Sequence, residues 1–326
     1  MPPRDDLKSA VAPLTARLND ALRRTLDEDG GFFGEVSVYS LLAGGKRLRP
    51  LIFCLAHQAL GGAIDEEILK LASTFEFLHM ATLMHDDIID QADTRRGRPS
   101  AHRIFGIPEA VMTADYLLAK AASLSLVRRN FESMVILVDV LRDLSLGELA
   151  ELRARGDVEL SKTAYLEIVR QKTAVLIEAV GRTAAVLAGA GPEPTRALTD
   201  YGRLVGLAFQ IADDLLDYQA SEDKLGKPAG QDLAEGRVTL PFIAARERLD
   251  PAGRERLLEL GAKIVRGAAD WTEVLALVER GGGLAAAQHE ADDLAEQAAE
   301  ALGPLPPSDA KALLAEVARY AVRRSS

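Results

Sequence analysis

The chain has one cysteine, one tryptophan and only 5% aromatic residues in 326. The lone Cys54 forms no internal disulfide, which excludes a disulfide scaffold and fits a reducing compartment. A basic surplus is also missing: 39 Lys and Arg against 49 Asp and Glu give a net charge of −10. That balance argues against a nucleic-acid binder. The longest stretch free of Asp, Glu, Lys and Arg runs from Pro50 to Ile64 and includes His57, Gln58 and a glycine pair. It is too short and too polar to span a bilayer. Met1-Pro2-Pro3-Arg4-Asp5-Asp6 lacks the apolar core of a secretory signal, so a cytoplasmic location is expected. Alternating Val/Ile/Thr runs are absent, and strands are not expected as a major element.

What is present is helical. Apolar residues make up 48% of the chain, enough for a sizeable core. Val11, Leu14, Leu18 and Leu22 recur at three- and four-residue steps, as do Leu313, Val317 and Tyr320. Asp29-Gly30-Gly31, Gly61-Gly62 and Gly189-Ala190-Gly191-Pro192 read as helix ends, and Ser308 as an N-cap for the last helix. Two connections stand out, the basic segment 91–100 and the long Gly/Lys-containing segment 219–237. No Pro/Ser/Gly-rich linker separates two halves, so one helical domain over residues 1–326 is expected.

The acidic surplus is unevenly placed. His85-Asp86-Asp87-Ile88-Ile89-Asp90 and Ala212-Asp213-Asp214-Leu215-Leu216-Asp217 repeat one pattern, each after a strongly apolar segment. The first and last Asp of each are four apart, one helical turn on one face. Such carboxylates repel one another, and desolvation worsens the repulsion. A counter-cation relieves it, and oxygen-only ligands suit Mg2+, which commonly bridges carboxylates to phosphates. The bland alternative is a solvated acidic face or a helix N-terminus favoured by the macrodipole. Asp292-Asp293-Leu294-Ala295-Glu296 has that bland character, with no basic cluster nearby, and reads as surface.

Basic clusters accompany both triads. Arg95-Arg96-Gly97-Arg98 follows the first, Lys224, Lys227 and Arg237 follow the second, and Gly44-Gly45-Lys46-Arg47-Leu48-Arg49-Pro50 lies upstream. Acid-bound metal beside Arg and Lys donors is what a diphosphate requires. Together they point to two diphosphate sites.

These motifs, in this order from about residue 40 to residue 245, resemble the trans-isoprenyl diphosphate synthases, or polyprenyl synthetases. The resemblance implies an all-α fold of isoprenoid synthase type, a single large helical bundle around a central active-site cavity, with the two aspartate triads facing each other. It implies Lys46, Arg49, His79 and Arg96 at the isopentenyl diphosphate, and Arg95 and Lys172 of Lys172-Thr173 at the allylic diphosphate. Asp86, Asp87 and Asp90 match the first aspartate motif, with Asp86 and Asp90 as direct metal ligands. Phe209-Gln210 with Asp213, Asp214 and Asp217 match the second, Asp213 ligating a third metal, so that all six aspartates form the expected Mg2+ set and Thr173 and Gln210 join the substrate-binding residues. Lys227 and Arg237 match basic residues of a lid, where relatives often carry lysine at the latter position.

The reaction so implied is head-to-tail, trans condensation of isopentenyl diphosphate with an allylic diphosphate. Three Mg2+ ions and the Lys/Arg set meet the charge of the departing diphosphate. Apolar helix surface shields an allylic carbocation from water. Asp86, Asp90, Arg95, Lys172, Asp213 and Lys227 are the expected catalytic set. Ala81 and Thr82, just before the first motif, occupy positions where relatives use bulky aromatics to stop chain growth. Their small size predicts a long polyprenyl product, roughly C30 or more by family analogy. Small residues Ala119, Ala122 and Ser123, with Tyr116 and Leu124, are expected near a deeper floor.

Other readings share parts of this pattern. A medium-chain synthase making geranylgeranyl or farnesylgeranyl diphosphate uses the same motifs. A cyclase or head-to-head enzyme lacks the Gly-Gly-Lys-x-x-Arg segment, and a non-catalytic partner subunit usually lacks one aspartate motif. A helical scaffold with solubilising acidic patches belongs to another class, and Mg2+-dependent pyrophosphate release separates it. The resemblance also implies a homodimer and peripheral membrane contact for product release.

Overall fold

A computed structural model describes residues 4–28, 30–42, 45, 47–95, 97–219, 229–267 and 271–323. Among the described residues it is all-α apart from one hairpin of two-residue strands, Thr94–Arg95 paired antiparallel with Arg98–Pro99. Among the described residues no helix is long and apolar enough to cross a membrane. The chain forms two compact units. One comprises residues 1–138, 179–196 and 304–314, the other residues 139–178, 197–303 and 315–326.

In the first unit the helix Glu66–Ile89 packs against Ile107–Ser125, Leu48–Ala59 and Arg4–Asp27. Its interior face is nearly continuous in apolar residues, and Leu69, Phe77, Leu78 and Ala81 are fully buried. Each large side chain so buried contributes about 1.5–3 kcal/mol. Asp65 caps the helix, its Oδ1 accepting from Ile68 N at 2.8 Å. Gly61-Gly62 ends the preceding helix as expected. A Cβ at Gly62 would lie 2.2 Å from the His57 ring, so only glycine lets that ring fold over the turn. Cys54 lies in this core, where burial pushes its thiol up to about 12, leaving it unreactive.

In the second unit the helix Pro192–Gln219 buries Leu207, Ile211, Leu215 and Tyr218 in a core shared with Phe242, Ile243, Leu257 and Val278. The helix Leu240–Arg248 packs on Gly283–Ala301, whose Ala287, Ala291 and Ala295 allow close approach. One element departs from α geometry. Arg170–Ala174 forms a π-turn between Lys162–Val169 and Val175–Leu187. Single π-turns are rare and recur at functional sites.

Candidate active site

Both aspartate triads lie at the C-terminal ends of their helices. The first closes Glu66–Ile89, with Asp90 as the C-cap and its N–H donating to Asp86 O at 2.8 Å. The second occupies the last two turns of Pro192–Gln219. The macrodipole therefore disfavours these anions, by about 0.3–1 kcal/mol for each charge in the last turn. This removes the bland explanation of a helix N-terminus. The control run behaves as expected: Asp292, Asp293 and Glu296 are exposed in the middle of Gly283–Ala301.

In the first unit, Asp87 is buried and is claimed by Arg95. The Arg95 Nε donates to Asp87 Oδ1 at 2.8 Å, and Nη2 donates to the same oxygen. The hairpin 94–99, where sequence alone shows only a basic loop, carries Arg95 back onto the helix end. Asp86, Asp90, His79, Thr82 and Arg49 are half-buried, and Thr82 Oγ1 donates to His79 O at 2.9 Å. A recess of about 40 Å3 beside Asp87 and Arg95 is lined by Met80, Met84, Tyr39 and Arg98. The Arg98 guanidinium sits 4.4 Å above the Tyr39 ring. Arg47, part of the upstream basic cluster, turns inward instead. Its Nη1 meets Glu76 Oε1 at 2.6 Å, Nε donates to Asn19 at 3.1 Å and Nη2 to Leu41 O at 2.9 Å. It is a buried clamp that ties Asn19, Leu41 and Glu76 together. Lys46 and Arg96 lie outside the described residues. Of the expected deeper-floor residues, Ala119 and Ser123 are exposed, Ala122 is half-buried and Leu124 is buried. Tyr116 stacks on Phe33 at 4.9 Å.

In the second unit, Lys172 and Thr173 sit on the π-turn. Lys172 Nζ pairs with Glu148 Oε2 at 2.9 Å and with Glu151. Thr173 Oγ1 donates to Gln210 Oε1 at 2.9 Å, and Gln210 Nε2 donates to Asp214 Oδ1 at 2.8 Å. The Tyr165 hydroxyl donates to Asp214 Oδ2 at 2.6 Å. Burial pushes the Asp214 carboxyl well above the usual range, and Asp232 and Asp213 add to it. Asp217 accepts from Gln231 N at 3.1 Å and Asp232 N at 3.2 Å, anchoring the short helix Gln231–Ala234 within the expected loop. Burial first, then the Asp232 charge, lifts Asp217 to about 6. Arg237 is mostly occupied by Asp232, at 2.7 Å, and Glu235. Burial alone would lower its pKa, but those two carboxylates raise it. Lys224 and Lys227 lie outside the described residues.

Among the described residues, no three His, Cys, Asp or Glu side chains converge to enclose a metal alone. Carboxylates crowded at a helix C-terminus, one of them driven up to about 6, nevertheless have the chemistry a divalent cation relieves. Mg2+ keeps waters and takes only one or two carboxylates beside phosphate oxygens, so this donor set fits. Residues not singled out from sequence are Tyr165, Glu148, Glu151, Glu76 and Asp232. Only the Glu148/Glu151 pair carried a local signal, two acids one turn apart beside Gly147.

Comparison with known proteins gives the geometry a family. Residues 32–278 match the polyprenyl synthetase family. The chain is a polyprenyl synthetase. It is similar to the octaprenyl diphosphate synthase of Haemophilus influenzae, 36% identical over 324 residues, covering 98% of this chain and 97% of that one. The crystal structure of a decaprenyl diphosphate synthase from Rhodobacter capsulatus superposes with a TM-score of 0.89 at 33% identity, covering 99% of this chain and 100% of that one. A polyprenyl synthase from Caulobacter crescentus, complexed with calcium and isoprenyl diphosphate, gives 0.88 at 36% identity, covering 99% and 98%. The family, the all-α fold and the enzyme class expected from sequence are thereby established: this synthetase is a prenyltransferase that makes polyprenyl diphosphates.

Proposed function

We propose that this synthetase condenses isopentenyl diphosphate with an allylic diphosphate, head to tail and trans, and builds a long-chain product of roughly C30 or more by family analogy. The observation that carries the chemistry is the placement of two aspartate triads at helix C-termini, where bare carboxylates are disfavoured and a cation is favoured. Asp86 and Asp90 would hold Mg2+ at the first helix end, and Asp213 and Asp217 at the second. When bound, Mg2+ supplies Lewis-acid neutralisation of the leaving diphosphate, with three ions expected.

The chain's own cations orient the substrates. Lys172 exchanges Glu148 and Glu151 for the allylic diphosphate, so a carboxylate pair holds its charge in place beforehand. Arg95 is likewise fixed by Asp87 before substrate arrives. Arg49, His79, Lys46 and Arg96 are assigned to isopentenyl diphosphate, and Lys227 and Arg237 to closure over the site. The apolar face of Glu66–Ile89 excludes water from the reacting carbons. Support for a long product comes from the small Ala81 and Thr82 and from relatives named for long chains. A homodimer in the cytoplasm is part of the same proposal. It is supported by Phe131, Val135 and Val138, exposed at successive turns of one helix, with Phe131 81% accessible.

The deciding assay incubates the protein with Mg2+, labelled isopentenyl diphosphate and each short allylic diphosphate in turn. Long polyprenyl products on chromatography are expected. Products ending at geranylgeranyl length would replace the long-chain assignment with the medium-chain one. No turnover with any primer would refute the proposed condensation.

A further inference from the structure

We infer that Tyr165 and Asp214 are positioning residues, which anchor a hydrogen-bond chain through Gln210 to Thr173 and so orient the lysine–threonine pair on the π-turn. The inference rests on the proposed role of Lys172 and Thr173 at the allylic diphosphate.

The chain has one polarity. Tyr165 OH and Gln210 Nε2 both donate to Asp214, at 2.6 and 2.8 Å, one to each carboxylate oxygen. With its amide nitrogen directed at the carboxylate, Gln210 must present its oxygen to Thr173, whose hydroxyl donates at 2.9 Å. A single buried acceptor therefore sets the orientation of three other side chains. Asp214 is only 5% exposed and Tyr165 only 4%. Asp213 and Asp217, on the same helix, are half-buried. The middle aspartate of the second triad thus belongs to the protein interior, and the metal-facing work falls to its two neighbours.

Location adds a second observation. The π-turn backbone is seated against glycine on two sides: a Cβ at Gly147 would lie 2.7 Å from Lys172 N, and one at Gly206 would lie 2.4 Å from Ala174 Cα. Main-chain packing fixes where the turn sits, whereas the hydrogen-bond chain fixes which way Thr173 points. Tyr165, on the helix just before the turn, anchors the far end of that chain.

The test compares Tyr165→Phe, Asp214→Asn and Asp213→Asn in the full chain, with Tyr218→Phe as a control for losing a buried tyrosine hydroxyl. Tyr165→Phe should raise the allylic KM or lower kcat by about tenfold, the scale of a lost positioning contact. The isopentenyl diphosphate KM and the Mg2+ half-saturation should not move. Asp214→Asn should do the same, whereas Asp213→Asn should raise the Mg2+ half-saturation, and Tyr218→Phe should leave every constant unchanged. Parental constants in Tyr165→Phe overturn the inference. So does a rise in Mg2+ half-saturation with Asp214→Asn equal to that with Asp213→Asn. If the unmodified chain shows no turnover, the synthetase reaction as proposed fails instead. Calorimetry of Mg2+ with inorganic pyrophosphate then still decides whether Asp214 is a ligand.

Discussion

Gly206→Ala offers a stringent test of the π-turn as a catalytic platform. An added Cβ would lie 2.4 Å from Ala174 Cα and 2.7 Å from Ala174 Cβ. Neither atom is the end of a flexible side chain, so backbone must move. Restoring ordinary contact needs about 1 Å of separation in an interior packed to crystal density. Overpacking of this kind costs about 1–3 kcal/mol, offset by about 1 kcal/mol from the better helix propensity of alanine. The net loss of up to about 2 kcal/mol corresponds to a fall in melting temperature of a few degrees. Catalysis should suffer more. A shift of about 1 Å in a substrate-positioning group costs on the order of 100-fold in rate. The expected signature is therefore a small thermal shift, read by scanning calorimetry, beside a large loss of kcat/KM for the allylic substrate. Gly34→Ala serves as the control. Gly34 has no neighbouring atom within 4 Å of the added Cβ and no positive φ, so it should gain up to about 1 kcal/mol and keep full activity. Parental kcat/KM in Gly206→Ala, or equal losses in both variants, would refute the reasoning.

Three further predictions follow from other parts of the structure. Asp217 holds its proton more tightly in the folded state, near 6, than a free aspartate at 3.8. Its contribution to stability is present below the free value and is lost as pH rises through about 6. Mg2+ should therefore raise the melting temperature more at about pH 7.5 than at about pH 5; equal shifts would count against Asp217 as a cation partner. Ala81→Phe should shorten the product on chromatography while lowering stability by about 1–3 kcal/mol, because Ala81 is fully buried; an unchanged length distribution sinks its chain-length role. Phe131→Asp should convert a dimer to monomer in light scattering, since Phe131, Val135 and Val138 form an exposed apolar stripe. A monomeric parent chain would end the homodimer proposal.

Much of the fold was legible because its signals are local. The glycine pairs end helices where expected, and Ser308 Oγ caps the last helix, accepting from Lys311 N at 3.2 Å. The first and last aspartates of each triad are four apart and half-buried, as their spacing requires, whereas the middle one is buried. What was not legible depends on distant partners. Arg-Gln-Lys-Thr-Ala at 170–174 contains nothing that marks a π-turn; the bulge accompanies glycines at 147 and 206, far away in sequence. Arg47 stands in the upstream basic cluster, and only Glu76 on another helix shows it to be an internal clamp. The roles of Asp87 and Asp214 differ for the same reason. One is paired with a guanidinium and the other accepts from uncharged donors, although their motifs read alike.

The π-turn also governs which changes of chain length the protein tolerates. It carries one residue beyond what a continuous α-helix would use, and each residue of an α-helix turns the chain by about 100°. Deleting any one of residues 170–174 would heal the turn into an ordinary helix. The helix that follows would keep its seat, with Ile177 O still against Gly202, where a Cβ would lie only 2.2 Å from that carbonyl, but the widened turn that presents Lys172 and Thr173 would be lost. A single deletion there would spare the fold and cost the site its geometry.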